Sequence, residues 1–473
     1  MPFFSILDRE VTIAKPGFSR WLVPPAALAV HLAIGQAYAF SIFNKPLSQI
    51  IGITKSMPGI DWKISDVGWI FSIAIVFLGL SAAVFGKWVE RSGPRKAMLA
   101  SAICFGGGFL IAALGAKIHS LFVVILGYGV VGGTGLGLGY ISPVSTLIKW
   151  FPDRPGMATG MAIMGFGGGA LIGSPLGTNL MARFATPTST GVVETFVTMG
   201  ILYFIFMLLG SVIVRVPGAD WKPAGYAAPT QSNRLITIAN VTADEAIKTQ
   251  QFWLLWCVLF LNVTAGIGVL GQASLMIREV FSSRFPNVNA ADAVAAGAAF
   301  TAILSLFNIA GRFFWSSLSD YIGRRNVYMI YFALGAILYA LVPSLGGVNI
   351  VMYVLAFGMI FSMYGGGFAT IPAYLRDMFG TMQVGAIHGR LLTAWSCAGI
   401  AGPTLVNYIR EYQINNGIAP ADSYTNTLYL MAGLLVIGFI CNFMVRAVDS
   451  RHHYIDPERT TASPNLKPER ATT

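Results

Sequence analysis

Gly86-Lys87-Trp88-Val89-Glu90-Arg91-Ser92-Gly93-Pro94-Arg95-Lys96 and Ser316-Ser317-Leu318-Ser319-Asp320-Tyr321-Ile322-Gly323-Arg324-Arg325 are one pattern written twice, about 230 residues apart. Each copy closes a long apolar run with a small residue (Gly86, Ser316), an acid four positions later (Glu90, Asp320), a glycine three beyond it (Gly93, Gly323) and then basic residues. Glycine admits a turn that a side chain would strain, and the acid can pair with basic groups or helix ends nearby. Basic residues that merely anchor a loop on one side of a membrane would explain the charge, but not the spacing of acid and glycine. A second echo supports duplication: Gly139-Tyr140 up to Phe151 aligns with Gly367-Phe368 up to Phe379. Two homologous halves with a site between them are a common plan of gradient-driven membrane carriers.

The surrounding chain agrees. Its 473 residues are 55% hydrophobic and 11% charged, with a mean hydropathy of +0.66, outside the range of soluble proteins. About twelve runs, from 21–44 to 424–446, are long enough to cross a hydrocarbon layer roughly 30 Å thick. They are apolar all round rather than alternating, which excludes a β-barrel. The expected fold is an all-α membrane protein with twelve transmembrane helices in two pseudo-symmetric six-helix bundles. The divisions read as a cytoplasmic segment 1–20, a first bundle 21–215, a cytoplasmic linker 216–250, a second bundle 251–446 and a tail 447–473. With Pro457, Pro464 and Pro468 among charges and small polar residues, that tail is expected to be disordered.

The net charge of +11 is accounted for by topology rather than by nucleic acid. Placing both termini in the cytoplasm puts about 22 basic residues inside and about 8 outside, with Arg312 left within a span. The first 20 residues carry Asp8, Arg9, Glu10 and Lys15 and lack a short apolar core before a cleavage site, so the first span is expected to be its own targeting signal. A bacterial-type inner membrane is the expected location. Cys104, Cys257, Cys397 and Cys441 fall in spans without ligand spacing, and neither disulfides, metals nor cofactors are expected.

The run Gly132-Gly133-Thr134-Gly135-Leu136-Gly137-Leu138-Gly139 imitates a dinucleotide fingerprint, but its spacing fails at the last glycine and no strand precedes it. It reads as close helix packing, as do Gly165, Gly167, Gly168, Gly169 and Gly173 in the fifth span. Pro143, Pro175, Pro372 and Pro403 are expected to kink their helices. No phosphate loop ends in Gly-Lys-Ser/Thr, so a gradient rather than ATP is the expected driving force. No nucleophile and base pair up, so enzyme activity is not expected.

The paired acid-glycine-basic loops resemble the signature loop of the major facilitator superfamily. A narrower resemblance, from Trp21 to Arg446, is to the oxalate/formate antiporter family, which includes bacterial lactate transporters. It is carried by Gln36, by Gly137-Leu138-Gly139-Tyr140, by Trp150-Phe151-Pro152-Asp153-Arg154-Pro155-Gly156 with Met157-Ala158-Thr159-Gly160, by Gln251-Phe252-Trp253-Leu254-Leu255-Trp256 and by Phe307-Asn308-Ile309-Ala310-Gly311-Arg312. The signature loops then imply gating roles for Gly86, Glu90, Arg91, Gly93, Arg95, Asp320, Gly323 and Arg324.

Arg312 is the leading binding candidate. It lies eight residues before Asp320, roughly 12 Å inside the helix end at 1.5 Å per residue. A charge at that depth is costly and normally kept for function, and a guanidinium holds a carboxylate bidentately as lysine does not. Asn308, one turn earlier on the same face, is placed to share the anion or orient the guanidinium. In the resembled family the matching arginine binds a substrate carboxylate. Gln36 is a further candidate, since a mid-span amide needs a partner. Tyr140, Tyr364 and Phe368 occupy positions where the resembled family lines its cavity, though each alone fits ordinary packing. Oxalate carriers of that family set a lysine in the eleventh span opposite the arginine; Trp395 stands there instead. One fixed cation suits one carboxylate. His31 is a candidate proton carrier or a histidine held by a backbone carbonyl, while His388 and Arg390 are expected to snorkel to the interface.

The expected function is transport of a small organic carboxylate, favouring a monocarboxylate such as lactate, pyruvate or formate by proton symport. An oxalate/formate-type exchanger is the alternative and a carboxylate sensor a remote one. The expected partners are the organic anion, a proton and membrane lipid, with no nucleic acid, and the expected state is a monomer.

Overall fold

Inside hydrocarbon every backbone N–H and C=O must be satisfied within the span, and a helix does that locally. The computed structural model of the chain describes residues 6–218, 220–226, 235–237, 239–284 and 290–455. Twelve crossings follow in order: α1 Arg20–Leu47, α2 Ile64–Ser92, α3 Pro94–Lys117, α4 Leu121–Trp150, α5 Pro155–Phe184 and α6 Val192–Ile213. Then come α7 Gln250–Arg284, α8 Ala290–Ile322, α9 Arg324–Val348, α10 Ile350–Phe379, α11 Val384–Leu391 with Thr393–Asn415, and α12 Thr425–Phe443. Among the described residues, eleven of these are long and apolar enough to cross a membrane. The twelfth, α11, is interrupted at Leu392 and carries Asn407, Arg410 and Glu411 near its far end. The break sits where α2 comes closest: Gly79 faces the Leu392 carbonyl, and the Ser396 hydroxyl donates to the Ile75 carbonyl at 2.9 Å.

Leucine, isoleucine, valine and phenylalanine side chains such as Val84, Phe122, Leu209 and Ile337 stay exposed on the outside, as lipid-facing positions must. Glycines pack inside, where helix backbones touch. Gly108 faces the backbone of Gly127 and Gly132, and Gly169 faces that of Gly35. The glycine runs therefore serve as the close-packing devices expected of them.

The halves meet through two equivalent helix pairs, α5 with α8 and α2 with α11. Advancing six helices turns one pair into the other, so the duplication extends to the contact. All connections carrying the signature loops lie on one face, together with the linker. There the N-terminal segment bonds to the linker through Ala14 N–H to the Val216 carbonyl (2.9 Å) and Val216 N–H to Thr12 (3.0 Å). Thr237 and Val241 N–H groups bond to the carbonyls of Asp377 and Phe379 at the end of α10.

The tail requires a correction. Residues 447–455 are not disordered: the Ala447 carbonyl accepts from Gln251 (2.9 Å), Tyr454 N–H donates to Asn240 (2.7 Å) and His452 Nδ1 lies 3.1 Å from Glu245. Docking on the linker supplies partners that an isolated polar segment lacks. Residues 456–473 lie outside the described residues.

Candidate functional site

The linker face is closed by an exchange of acids between the halves. Asp320, at the end of α8, accepts from the N–H groups of Gly156 (2.9 Å) and Met157 (2.8 Å) at the start of α5. Glu90, at the end of α2, accepts from Gly385 N–H (2.9 Å) at the start of α11. Each acid thus meets the positive end of a helix in the other half. Both turns that follow have positive φ, 84° at Gly93 and 89° at Gly323, which explains why glycine stands there. Gly86 lets α2 reach Ala386.

The partners of the two acids differ. Asp320 pairs with Arg324 one turn on, Arg324 also bonds to Asp377, and Arg376 links Asp377 to the Pro152 carbonyl in the first half. Glu90 pairs instead with Lys149 of α4. Arg95 does not cross between halves; it donates to the carbonyls of Ile6 and Val212 and ties α3 to the N-terminal segment and α6. Arg91 is exposed and makes no ion pair among the described residues.

Above this seal lies an enclosure contributed by both halves. Arg312 is fully buried on α8. Its Nε donates to Asn308 Oδ1 (2.9 Å) and its Nη1 to the Ile163 carbonyl (3.2 Å), while Nη2 has no partner. Asn308 therefore orients the guanidinium. Gly167 makes the room, for a Cβ there would lie 2.9 Å from Arg312 Nε. The rings of Phe368 and Phe166 stand 5.3 and 5.8 Å from the guanidinium carbon. Trp395 closes the box, its ring centroid 4.5 Å from Phe368 and 5.3 Å from both Phe166 and Tyr140. Tyr38 and Tyr364 face each other across the halves with hydroxyls 3.5 Å apart. Tyr140 Oη and Trp395 Nε1 are buried without partners.

Arg312 makes no ion pair among the described residues. The guanidinium is thus held by one amide oxygen and one carbonyl between two ring faces, with the Tyr38 hydroxyl close by and no anionic partner among the described residues. A donor left free between ring faces is chemically suited to the oxygen of an anion.

Two expectations are corrected, for Gln36 and His388, and of the two readings of His31 the one held by backbone carbonyls is observed. Gln36 does not face Arg312: its Oε1 accepts from Tyr128 (3.1 Å) and its stem packs against Gly173, inside the first half. Tyr38, two residues on, takes the central side, because residues two apart on a helix point nearly opposite ways. Gly35–Phe43 is tightened to 3-10 geometry, in which residues two apart point about 120° away from each other, so the two side chains still serve different faces. His388 does not snorkel. It is buried beside Tyr140, ring centroids 5.7 Å apart, because α2 comes so close to α11 here that a Cβ on Gly389 would overlap the Ala82 carbonyl. His31 has both ring nitrogens against carbonyls, Nδ1 at 2.7 Å from Ala162 and Nε2 at 3.2 Å from Tyr140; it bridges α1, α5 and α4. Arg390 does stay at the linker face, bonded to Asp244 and the Ala243 carbonyl.

Two duplicated bundles around a central buried charge, joined on one face by exchanged loop contacts, follow the plan of a membrane carrier. The chain belongs to the Major Facilitator Superfamily, whose family model matches residues 26–305 and 273–471. It is 26% identical to the uncharacterized transporter YhjX of Escherichia coli over 81% of this chain and 86% of that one. It is 25% identical to the oxalate:formate antiporter of Oxalobacter formigenes, covering 81% and 83%. It is 25% identical to apicoplast pyruvate carrier 1 of Toxoplasma gondii, covering 69% and 66%. Among solved structures, the proton:xylose symporter XylE bound to 6-bromo-6-deoxy-D-glucose matches with a TM-score of 0.64 at 14% identity, covering 90% of this chain and 95% of that one. The protein is thus a multi-pass membrane transporter and not an enzyme.

Proposed function

We propose that the protein is a secondary carrier of small carboxylates, favouring a monocarboxylate such as lactate, pyruvate or formate, driven by proton symport. The observation that carries this reading is Arg312: a fully buried guanidinium with a free Nη2 inside a ring box formed by both halves. The carboxylate binds Nη2, and Tyr140 Oη and Trp395 Nε1 offer further donors in the same box. Phe166, Tyr364 and Phe368 set its size. With Trp395 opposite Arg312, a dianion would leave one charge uncompensated at low dielectric. The two bundles rock about this site; the linker face is cytoplasmic, the membrane is the inner membrane of a bacterial-type cell, and the working unit is the monomer.

Exchange of one organic anion for another is the second reading, supported by the similarity to an oxalate:formate antiporter. Proteoliposomes decide between them, with labelled lactate outside, an imposed pH gradient, and pyruvate, formate and oxalate as competitors. Gradient-driven uptake blocked by monoacids is expected, and Arg312→Lys should reduce it at least a hundredfold, since an ammonium cannot reproduce the planar fork. Uptake that ignores the gradient and requires trapped oxalate or formate would replace symport with exchange. Full activity in Arg312→Lys would remove Arg312 from the site.

A further inference from the structure

A symporter needs a group that takes up the proton, and one coupled to opening has to lie where the halves part; the histidine singled out by sequence, His31, bonds only within the first half. Its ring nitrogens face the carbonyls of Ala162 and Tyr140, both in the first half, and a neutral imidazole can donate to only one of them. The other buried histidine is different. His388 is 1% exposed, and neither Nδ1 nor Nε2 has a hydrogen-bond partner among the described residues. A neutral imidazole carries one donor and one acceptor, and leaving both unmatched in a dry site forfeits the hydration of each without replacement. Such a group calls for a functional reason.

Its position supplies one. His388 lies one turn into α11 from Val384, between the central box and the seal made by Glu90 and Gly385. On the side of the box it meets Tyr140, whose ring also packs on Trp395 and whose hydroxyl is free. The titratable and charged groups around it are few. From α1 the group that acts on it is His31, and from α4 it is Tyr140. Glu90 of α2 and Lys149 of α4 are paired with each other nearer the linker. On α10, Asp377 is bound by Arg324 and Arg376, and on its own helix Arg390 is turned out to Asp244. No acid among these is left to hold a proton in its place.

We propose that His388 is the proton-binding residue of the carrier, loaded when a carboxylate neutralises Arg312 and unloaded when the linker face opens. This rests on the symport reading above. The step is a simple binding: the imidazole takes one proton from the cavity side and becomes imidazolium, then releases the same proton at the linker face and is neutral again. The coupling is electrostatic. The rings of Phe368, Trp395 and Tyr140 stand between Arg312 and His388, and across so apolar a gap two cations oppose each other. A bound carboxylate cancels that opposition, so anion and proton favour each other's binding, reciprocally.

The test uses the full chain in proteoliposomes and whichever of lactate, pyruvate, formate or oxalate the wild-type protein takes up. Two assays run side by side: accumulation driven by a pH gradient, and exchange of labelled for unlabelled substrate at equal pH. His388→Gln is expected to lose at least tenfold in gradient-driven accumulation while exchange at equal pH falls far less. His388→Asn serves the same purpose should the glutamine variant elute as aggregate on size exclusion. Wild-type coupling retained in a folded His388 variant overturns the assignment and leaves symport standing. A wild-type protein that exchanges but never responds to the gradient overturns symport, and the assignment with it.

Discussion

The two signature loops occupy equivalent places, yet they are wired in opposite senses. In the second half the acid Asp320 is embedded in a continuous set of charges. Arg324 lies between Asp320 and Asp377, and Arg376 extends the set to Pro152 in the first half. In the first half Pro94 stands where the second has Arg324, and Lys149 stands where the second has Asp377. Glu90 therefore has a single cationic partner, drawn from α4 rather than from its own loop. The acid and the glycine, which cap the opposite helix and form the turn, are common to both loops; the basic positions have diverged. The second lock has more partners and less solvent than the first: Asp320 and Arg324 side chains are 7% and 6% exposed, whereas Lys149 is 24% exposed.

Removing each acid tests that difference. Asp320→Asn should weaken closure of the linker face by about 2–3 kcal/mol, on the order of a hundredfold in the open population, because it strips a buried charge from a network. Glu90→Gln should cost about 1 kcal/mol, five- to tenfold, since Lys149 can turn to water. The readout is the rate at which a membrane-impermeant maleimide labels Ser145→Cys, with the native cysteines replaced by serine. Equal effects would mean that the two locks are energetically alike.

A smaller contrast concerns the capped helix starts. A Cβ on Gly156 would overlap the Ser316 backbone carbonyl, whereas one on Gly385 would lie 2.5 Å from the Glu90 carboxylate oxygen and 2.8 Å from Ser145 Cβ, which are side-chain atoms with some freedom to move. Gly156→Ala is expected to raise labelling some tenfold and Gly385→Ala only about threefold, in line with small-to-large overpacking costs of about 1–3 kcal/mol. The reverse order would place the stiffer contact in the first half.

The smallest effect belongs to the linker. Asp244 bridges Lys87 of the first half and Arg390 of the second. Hydrogen bonds from Lys87 and Arg390 hold its carboxyl down at about 2. A lowered carboxylate contributes fully above its free value and is lost only as pH falls through the lowered one. This bridge should therefore be constant between pH 5 and 8, and Asp244→Asn should change labelling less than threefold, as an exposed pair does. A steep change in that range, lost in Asp244→Asn, would show that the linker titrates after all.

Much of this architecture could be read before any coordinates. Acid and glycine spacing announced the two turns, and apolar runs announced the spans, because both follow from local rules. The eleventh span was legible as a span but not as a broken one, since its interruption at Leu392 depends on how closely α2 approaches. Within the centre, Arg312 declared itself by being a charge in the wrong solvent. Gln36 misled because choosing its face meant discarding Tyr38, and only the packing of α1 against α4 and α6 decides which side faces inward. Phe166 was hidden in a glycine run that read as packing, although the same glycines create the space beside Arg312. His388 was misplaced for a related reason: its position in the chain suggested a helix end, and the second face of the helix, covered by α2 and α4, was invisible.

The uncompensated guanidinium also has an electrical consequence. An empty centre crosses from one access state to the other with one positive charge, while a centre holding a monocarboxylate alone crosses neutral. A membrane potential acts on the first transition, by up to ~2.3 kcal/mol per 100 mV if the charge traverses the whole field, and leaves the second untouched. A carrier that exchanges monocarboxylates alone would run at the same speed at any voltage, whereas under the proposed symport the proton restores the positive charge to the loaded crossing, and the cell's battery acts on both halves of the cycle.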